Sequence, residues 1–172
     1  MVIILKDKIC MFTGHRNISK IDSNLIKTYV KENVKNLIEN RDYNVFVSGA
    51  ARGFDILAAN AVIELKKEYS NIKLMLAIPC LNQTNGWREE DKLEYINIVE
   101  NADKLKILST DYKDGCMIKR NNYMVDMSSY CVYYLRQKTG GTYKTVNYAI
   151  DKKLVLVNIY ELMSQDMNTD ID

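Results

Sequence analysis

Proline, tryptophan and histidine occur once each in the 172 residues, and no stretch stays apolar for long. No segment approaches the roughly 20 apolar residues of a membrane span. The amino-terminal Val2-Ile3-Ile4-Leu5 is too short for a signal-peptide core and either adds a short strand or packs as a tail. An excess of one charge sign is missing too: 24 Lys plus Arg against 22 Asp plus Glu leave a net charge of +2, which carries no general nucleic-acid footprint. Neither nucleic acid nor membrane is the expected partner. The lone histidine, His15, argues against a zinc site, because Cys10, Cys80, Cys116 and Cys131 are widely spaced with no C-x-x-C pair. Three of these cysteines (Cys10, Cys80 and Cys131) sit in or beside apolar runs, where a free thiol behaves as a small hydrophobe. Reduced structural thiols, no metal and a cytoplasmic location are expected.

What is present suits a globular domain, since 47% hydrophobic residues in a chain of this length are enough for a full core. No Pro/Gly/Ser-rich linker or repeat interrupts it. A single domain is read over residues 1–163, followed by a polar, acidic tail over 164–172 that is expected to fray. Six short apolar runs, at 9–12, 45–47, 74–78, 105–108, 131–135 and 154–159, are continuous rather than alternating. Strands covered on both faces read this way. Between them lie helix-like stretches. Ile26, Val30, Val34 and Ile38 recur at spacing four and make one apolar stripe. Residues 54–69 are rich in Ala, Leu and Ile, and 87–102 begins with Glu89, Glu90 and Asp91, suited to a helix dipole. Further helices are read at 116–127 and 142–151. The alternation predicts an α/β, Rossmann-like, doubly wound and mostly parallel sheet with helices on both faces, in an order near 3-2-1-4-5-6. Ligands of such sheets sit beyond the strand carboxyl ends, where strand order reverses.

The turns at those ends carry the candidate site. Thr13-Gly14-His15-Arg16 follows the first run; there Gly14 would allow close backbone approach, Thr13 offers a hydroxyl, Arg16 a planar fork for phosphate, and His15 a group that titrates near neutrality. Ser48-Gly49-Ala50-Ala51-Arg52-Gly53-Phe54-Asp55 joins the second run to the Ala-rich helix, and such small residues expose backbone N–H groups as an anion cradle. It is neither G-x-G-x-x-G nor a Walker motif. In the third turn Gln83 and Trp87 stand out, the indole being able to stack on a base or to anchor the next helix. Arg120, Asn121 and Asp126 lie on the fourth helix, where a solvated face is the simplest account of their charge. Gly140-Gly141-Thr142 opens the last of these helices with free N–H groups able to hold a phosphate.

Taken together, these motifs resemble the YpsA-like branch of the SLOG superfamily, which groups DNA-processing DprA/Smf proteins with the LOG phosphoribohydrolases. The matching residues run from Thr13-Gly14-His15-Arg16 through 48–55, then Pro79, Gln83 and Trp87, then 120–126, to Gly140-Gly141-Thr142. The resemblance implies a Rossmann-like sheet and a nucleotide-derived ligand. In the LOG branch an arginine of the fourth helix and a glutamate shortly after a Gly-Gly turn support cleavage of a base from ribose 5′-phosphate. Arg120 matches that arginine, whereas Thr142-Tyr143-Lys144-Thr145-Val146-Asn147 contains no carboxylate. The expected function is a binding module, sensor or sequestering protein for a nucleotide or ADP-ribose-like derivative, with no required cofactor and a homodimer allowed. The alternative is a hydrolase of an N-glycosidic or phosphate bond, with Arg120 and one of Asp55, Asp126 or His15 in the catalytic role. Nucleic-acid binding by analogy with DprA ranks behind both.

Overall fold

Apolar segments that pack on both faces must be central strands, and in the computed structural model, which describes residues 6–169, four of the six are. The run Val2–Leu5 lies outside those residues. After a short 3-10 turn the elements alternate as β1 (Ile9–Gly14), α1 (Lys20–Arg41), β2 (Val45–Ser48), α2 (Phe54–Leu65), β3 (Lys73–Ile78) and α3 (Glu89–Asn101). They continue as β4 (Lys104–Ile107), α4 (Cys116–Met127), β5 (Tyr130–Tyr134), α5 (Gly140–Asp151), β6 (Val155–Asn158) and α6 (Ile159–Thr169). In α1 the four-residue stripe Ile26, Val30, Val34 and Ile38 is buried. Ser19 caps the start of this helix by accepting from the Asp22 amide, and Asp42 ends it in the left-handed region at φ 58°.

All pairings in the six-stranded sheet are parallel, in the order β4-β3-β2-β1-β5-β6. The expected order, 3-2-1-4-5-6, is therefore wrong in one respect: β5, not β4, lies beside β1. The reason is burial. Tyr130–Tyr134 has four of its five side chains buried and pairs along β1 from Cys10–Tyr130 to Gly14–Tyr134. Lys104-Leu105-Lys106-Ile107 is exposed throughout and takes the outer edge beyond β3, where lysines discourage further pairing. The reading of the fourth run as a strand covered on both faces fails for the same reason, and so does that of the sixth, whose strand is the other edge, exposes Val155 and gives way to α6 at Ile159.

Alternate strand residues feed two cores, as the two-residue period of a strand requires. Cys10, Phe12, Phe46, Leu74, Leu76, Val132 and Tyr134 face the side that also buries Ile26, Val30, Phe54, Ile98, Ile159 and Met163, so α1, α2, α3 and α6 cover it. Met11, Val47, Met75, Ala77 and Cys131 face Met124, Val125 and Ala149 of α4 and α5. The sheet is thus doubly wound. Because β1 leads to β2 on one side and has β5 on the other, strand order reverses between β1 and β5.

The tail read as frayed is helical to Thr169: Ile159 and Met163 anchor α6 in the core, and Asp166 accepts a 2.5 Å hydrogen bond from the Tyr29 hydroxyl of α1. Helix α5 starts at Gly140, two residues before the expected 142, and this places both glycines in its first turn. All four cysteines are buried without a disulfide, and no described helix is long and apolar enough to cross a membrane.

Candidate functional site

The reversal between β1 and β5 brings the turns after these strands apart at their carboxyl ends, and the site is built around that gap. The β1 turn is first locked to the β2 turn. A Cβ on Gly14 would collide with the Phe54 side chain, and a Cβ on Gly53, whose φ is +81°, would collide with the carbonyls of His15 and Arg16. The Phe54 amide donates to the His15 carbonyl at 3.1 Å. Gly14 is therefore required by Phe54 packing, a cause different from the ligand approach read in the sequence. On its other side the turn is fixed to β5. The His15 amide donates to the Tyr134 carbonyl at 3.2 Å, and its Nε2 accepts from the Arg136 amide at 2.9 Å. Partial burial and the nearby Arg136 charge hold the His15 pKa below its usual value, so the ring is neutral at pH 7 and carries its proton on Nδ1.

Beneath the turns lies a buried polar floor. Ser48 Oγ donates to the Asp55 carbonyl at 2.8 Å and accepts from the Ala50 amide at 3.2 Å, while Ala50 adopts φ 54°. Asp55 Oδ2 accepts from the Ala51 amide at 3.4 Å. Arg120 is 3% exposed, which overturns the solvated-face reading. Its Nη1 donates to the Gly49 carbonyl and, at 3.3 Å, to that of Ala77, so one guanidinium ties together the ends of β2 and β3. A Cβ on Gly49 would strike both this guanidinium and the Asp55 carboxylate, which flank it. Burial pushes the Asp55 carboxyl up to about 6, against the opposing pull of Arg120 and of the Ala51 amide.

A relay then reaches α5. Arg120 Nε donates to Asn121 Oδ1 at 2.8 Å, Asn121 Nδ2 to Thr145 Oγ1 at 2.9 Å, and Thr145 Oγ1 to the Gly141 carbonyl at 2.9 Å. The start of α5 has no side-chain cap and no acidic residue in its first turn, and a Cβ on Gly140 or Gly141 would meet open space. Its first residues, Thr139, Gly140, Gly141 and Thr142, line a cavity of about 280 Å³ together with Thr13, Gly14, His15, Arg16, Asp55, Arg120, Asn121, Ala51, Met117 and Ile118. A second compartment of about 400 Å³ shares Arg16, Ala51 and Met117 with the first and is otherwise lined by Arg52, Gln83, Trp87, Tyr112 and the loop residues Asn82, Asn85 and Gly86. Arg52 lies over the Trp87 indole, 5.7 Å from its centroid.

Ser48, Gly49, Ala50 and Gly53 support this floor without lining either compartment. Asp126 stands apart: it is exposed, accepts from the Tyr148 hydroxyl at 2.9 Å and pairs with Lys152 at 3.6 Å, away from both compartments. It is not in a position to serve as the missing acid. Sequence reasoning passed over Tyr112, whose only signal is an aromatic in the polar loop Asp111–Gly115, and gave no role to Thr145, which holds the first turn of α5. Among the described residues no three His, Cys, Asp or Glu side chains gather as a metal site.

The Asp55 shift has a measurable consequence. The unfolded chain ionises this carboxyl near its ordinary value of about 3.9 and the folded chain near 6. The group's contribution to stability is therefore complete below pH 4 and is lost as pH rises through 6. The stability difference between wild type and Asp55→Asn should move against wild type by about 3 kcal/mol across that window. Urea titrations of both proteins from pH 4 to 7.5 check this, and a pH-independent difference would refute the raised pKa.

Comparison with known proteins agrees with the family resemblance. The model of the YpsA family, described as the YspA SLOG family, matches residues 10–165. A UPF0398 protein of Brevibacillus brevis is 29% identical over 149 residues, covering 81% of this chain and 79% of the relative. The uncharacterized SPbeta prophage-derived protein YoqJ of Bacillus subtilis is 30% identical over 151 residues, covering 81% of this chain and 87% of its own. In fold the chain is similar to DNA processing protein A of Streptococcus pneumoniae, with a TM-score of 0.52 and 14% identity, over 92% of this chain but only 62% of the other. With β1 and α5 bracketing the cleft and the family match spanning nearly the whole sheet, the chain belongs to the YpsA family of SLOG proteins.

Proposed function

We propose that the cleft between β1 and β5 binds the phosphate of a nucleotide or nucleotide derivative and that the protein is a binding module rather than a LOG-type hydrolase. The observation that carries this reading is the uncapped start of α5, which lines the same cavity as Arg16. A helix amino terminus and a guanidinium together favour an anion. Arg16 is exposed and forms no ion pair or hydrogen bond with a described residue, so its charge is available. Arg120 already holds two carbonyls and Asn121 through Nη1 and Nε, which leaves Nη2 as its contribution to a ligand. Against LOG-type turnover stands the start of α5, residues 140–147, which carries Thr142 and Lys144 and no carboxylate.

The test is thermal unfolding with ribose 5-phosphate, nucleoside mono- and diphosphates and ADP-ribose. A ligand at a hundredfold its Kd should stabilise the fold by about 2.7 kcal/mol, several degrees in Tm. Arg16→Ala should weaken binding on the order of tenfold or more without lowering the Tm of the free protein, because its side chain supports no packing. Binding that falls steeply with salt would instead indicate a nucleic acid.

One observation favours a second reading. Asp55 lines the same cavity, and a carboxyl titrating near 6 is matched to general acid–base work at neutral pH. Free base released on long incubation, and lost in Asp55→Asn, would establish the hydrolase in place of the binder.

A further inference from the structure

All four cysteines are buried, and two of them meet. Cys116 is the first residue of α4 and precedes Arg120 by one helical turn, so both side chains leave the same face of the helix. That face meets the end of β3, because Arg120 donates to the Ala77 carbonyl there. Cys80 lies in the turn just past β3 and is wholly buried. The two thiols share a hydrogen bond, and both lie close enough to the Arg120 guanidinium to act on its charge. Neither lines a compartment, yet their neighbours do: Asn82 and Gln83 follow Cys80, and Met117 follows Cys116. Cys10 and Cys131 make the contrast. They belong to the adjoining strands β1 and β5 but face opposite sides of the sheet, so their sulfurs cannot join while the sheet is intact.

The surroundings of the two sulfurs differ. Burial, and next the Cys116 sulfur, push the Cys80 pKa above its ordinary value, so Cys80 stays a thiol at neutral pH. Cys116 is 7% exposed and follows the exposed loop 111–115, at whose end a Cβ on Gly115 would meet open space. A small reagent therefore reaches Cys116 first. The first turn of α4 carries no acidic residue and no side-chain cap, so negative charge arising on the Cys116 sulfur lies at the positive end of the helix.

We propose that Cys80 and Cys116 are an oxidisable thiol pair, which hydrogen peroxide closes to a disulfide and a dithiol reopens. The Cys116 thiolate attacks one peroxide oxygen: the S–O bond forms, the O–O bond breaks, and the other oxygen leaves as water with the proton that Cys116 gave up. Cys80 then attacks the sulfenic sulfur. The S–S bond forms, and the departing hydroxide takes the Cys80 proton as a second water. Each sulfur gives up one electron and the peroxide gains two. The bridge pins the turn after β3 to the start of α4 and so fixes two walls of the second compartment against each other. This site is independent of what the cleft binds.

The experiment treats the full-length, reduced protein with hydrogen peroxide, digests it without reductant and identifies cross-linked peptides by mass. The expected product joins Cys80 to Cys116 and disappears on adding dithiothreitol, while Cys10 and Cys131 remain free thiols. In Cys80→Ser the reaction should stop at a Cys116 sulfenic acid that dimedone traps. Cys116→Ser should consume peroxide about tenfold more slowly than wild type, or slower still. The oxidised protein should unfold cooperatively, at a Tm no lower than that of the reduced protein. Absence of the Cys80–Cys116 bridge in the native protein, or its appearance only in urea, would overturn the proposal. So would equal oxidation of all four cysteines, which would mark general reactivity in place of a pair. A lowered Tm would show that the bridge forms only by distorting the fold, and would overturn it too. Should a serine variant fail to fold, the cross-link map of the wild-type protein decides alone.

Discussion

Arg120→Ala is expected to lower the unfolding free energy by roughly 3–5 kcal/mol, a fall in Tm on the order of 10 °C for a chain of this size. The guanidinium is buried, donates to the carbonyls of Gly49 and Ala77, and is the main opposite charge acting on buried Asp55. Its removal leaves two carbonyl acceptors without their donor and the buried Asp55 carboxyl without its main opposite charge. It also cuts the relay through Asn121 and Thr145 that positions the first turn of α5, so phosphate affinity should fall with stability. Urea unfolding provides the check. A loss below 0.5 kcal/mol would show that Arg120 behaves as a surface residue after all. Adding Asp55→Asn to Arg120→Ala should recover part of the loss, because the stranded carboxylate is then gone; strict additivity of the two changes would argue against their coupling.

Gly53→Ala should cost roughly 3 kcal/mol or more. At φ +81° any side chain is strained, and here the new methyl also meets the backbone carbonyls of His15 and Arg16, which have no flexible end to move aside. The β1 and β2 turns would have to separate, breaking the Phe54-to-His15 hydrogen bond and opening both compartments at Arg16. Gly140→Ala provides the comparison. Its φ is +82° but nothing surrounds the new methyl, so only the conformational cost of about 1–2 kcal/mol is expected. Equal losses in the two variants, measured by chemical denaturation, would show that contact between the turns adds nothing.

Both predictions concern residues that the sequence singled out for other reasons. Gly53 stood out as part of an anion cradle and Arg120 as a charge on a helix, and neither role requires the packing that the fold imposes on them. The one sign of Arg120 burial in the sequence is its spacing of four from Cys116 and from Met124, which is hard to read because Lys119, Arg120, Asn121 and Asn122 form a uniformly polar stretch. Only the placement of α4 against β1 and β3 turns one of the four inward. Asp126 illustrates the reverse case. Six residues further along α4 it carries the same promise as a charge in a motif, and it ends on the outer surface with Tyr148 and Lys152.

By itself the sequence determined the kinds of element and their succession as far as β6, and the glycine-marked turns at the strand ends. Those properties depend on neighbours along the chain: the buried stripe of α1 at spacing four, the continuous apolar runs of the inner strands, and glycines at the ends of β1 and β2 and at the start of α5. Tertiary structure alone decided that β5 lies beside β1, that the exposed Lys104–Ile107 strand forms an edge and that α6 packs back on α1. It also decided that Gly14 is required by Phe54, and that Gln83, 33 residues from Ala50 in sequence, is held there with its oxygen unpaired. The physical reason is that periodicity records which face of a segment is buried, but not against what. A hydrogen-bond partner or a colliding atom dozens of residues away leaves no trace in the local pattern until the sheet has set strand against strand.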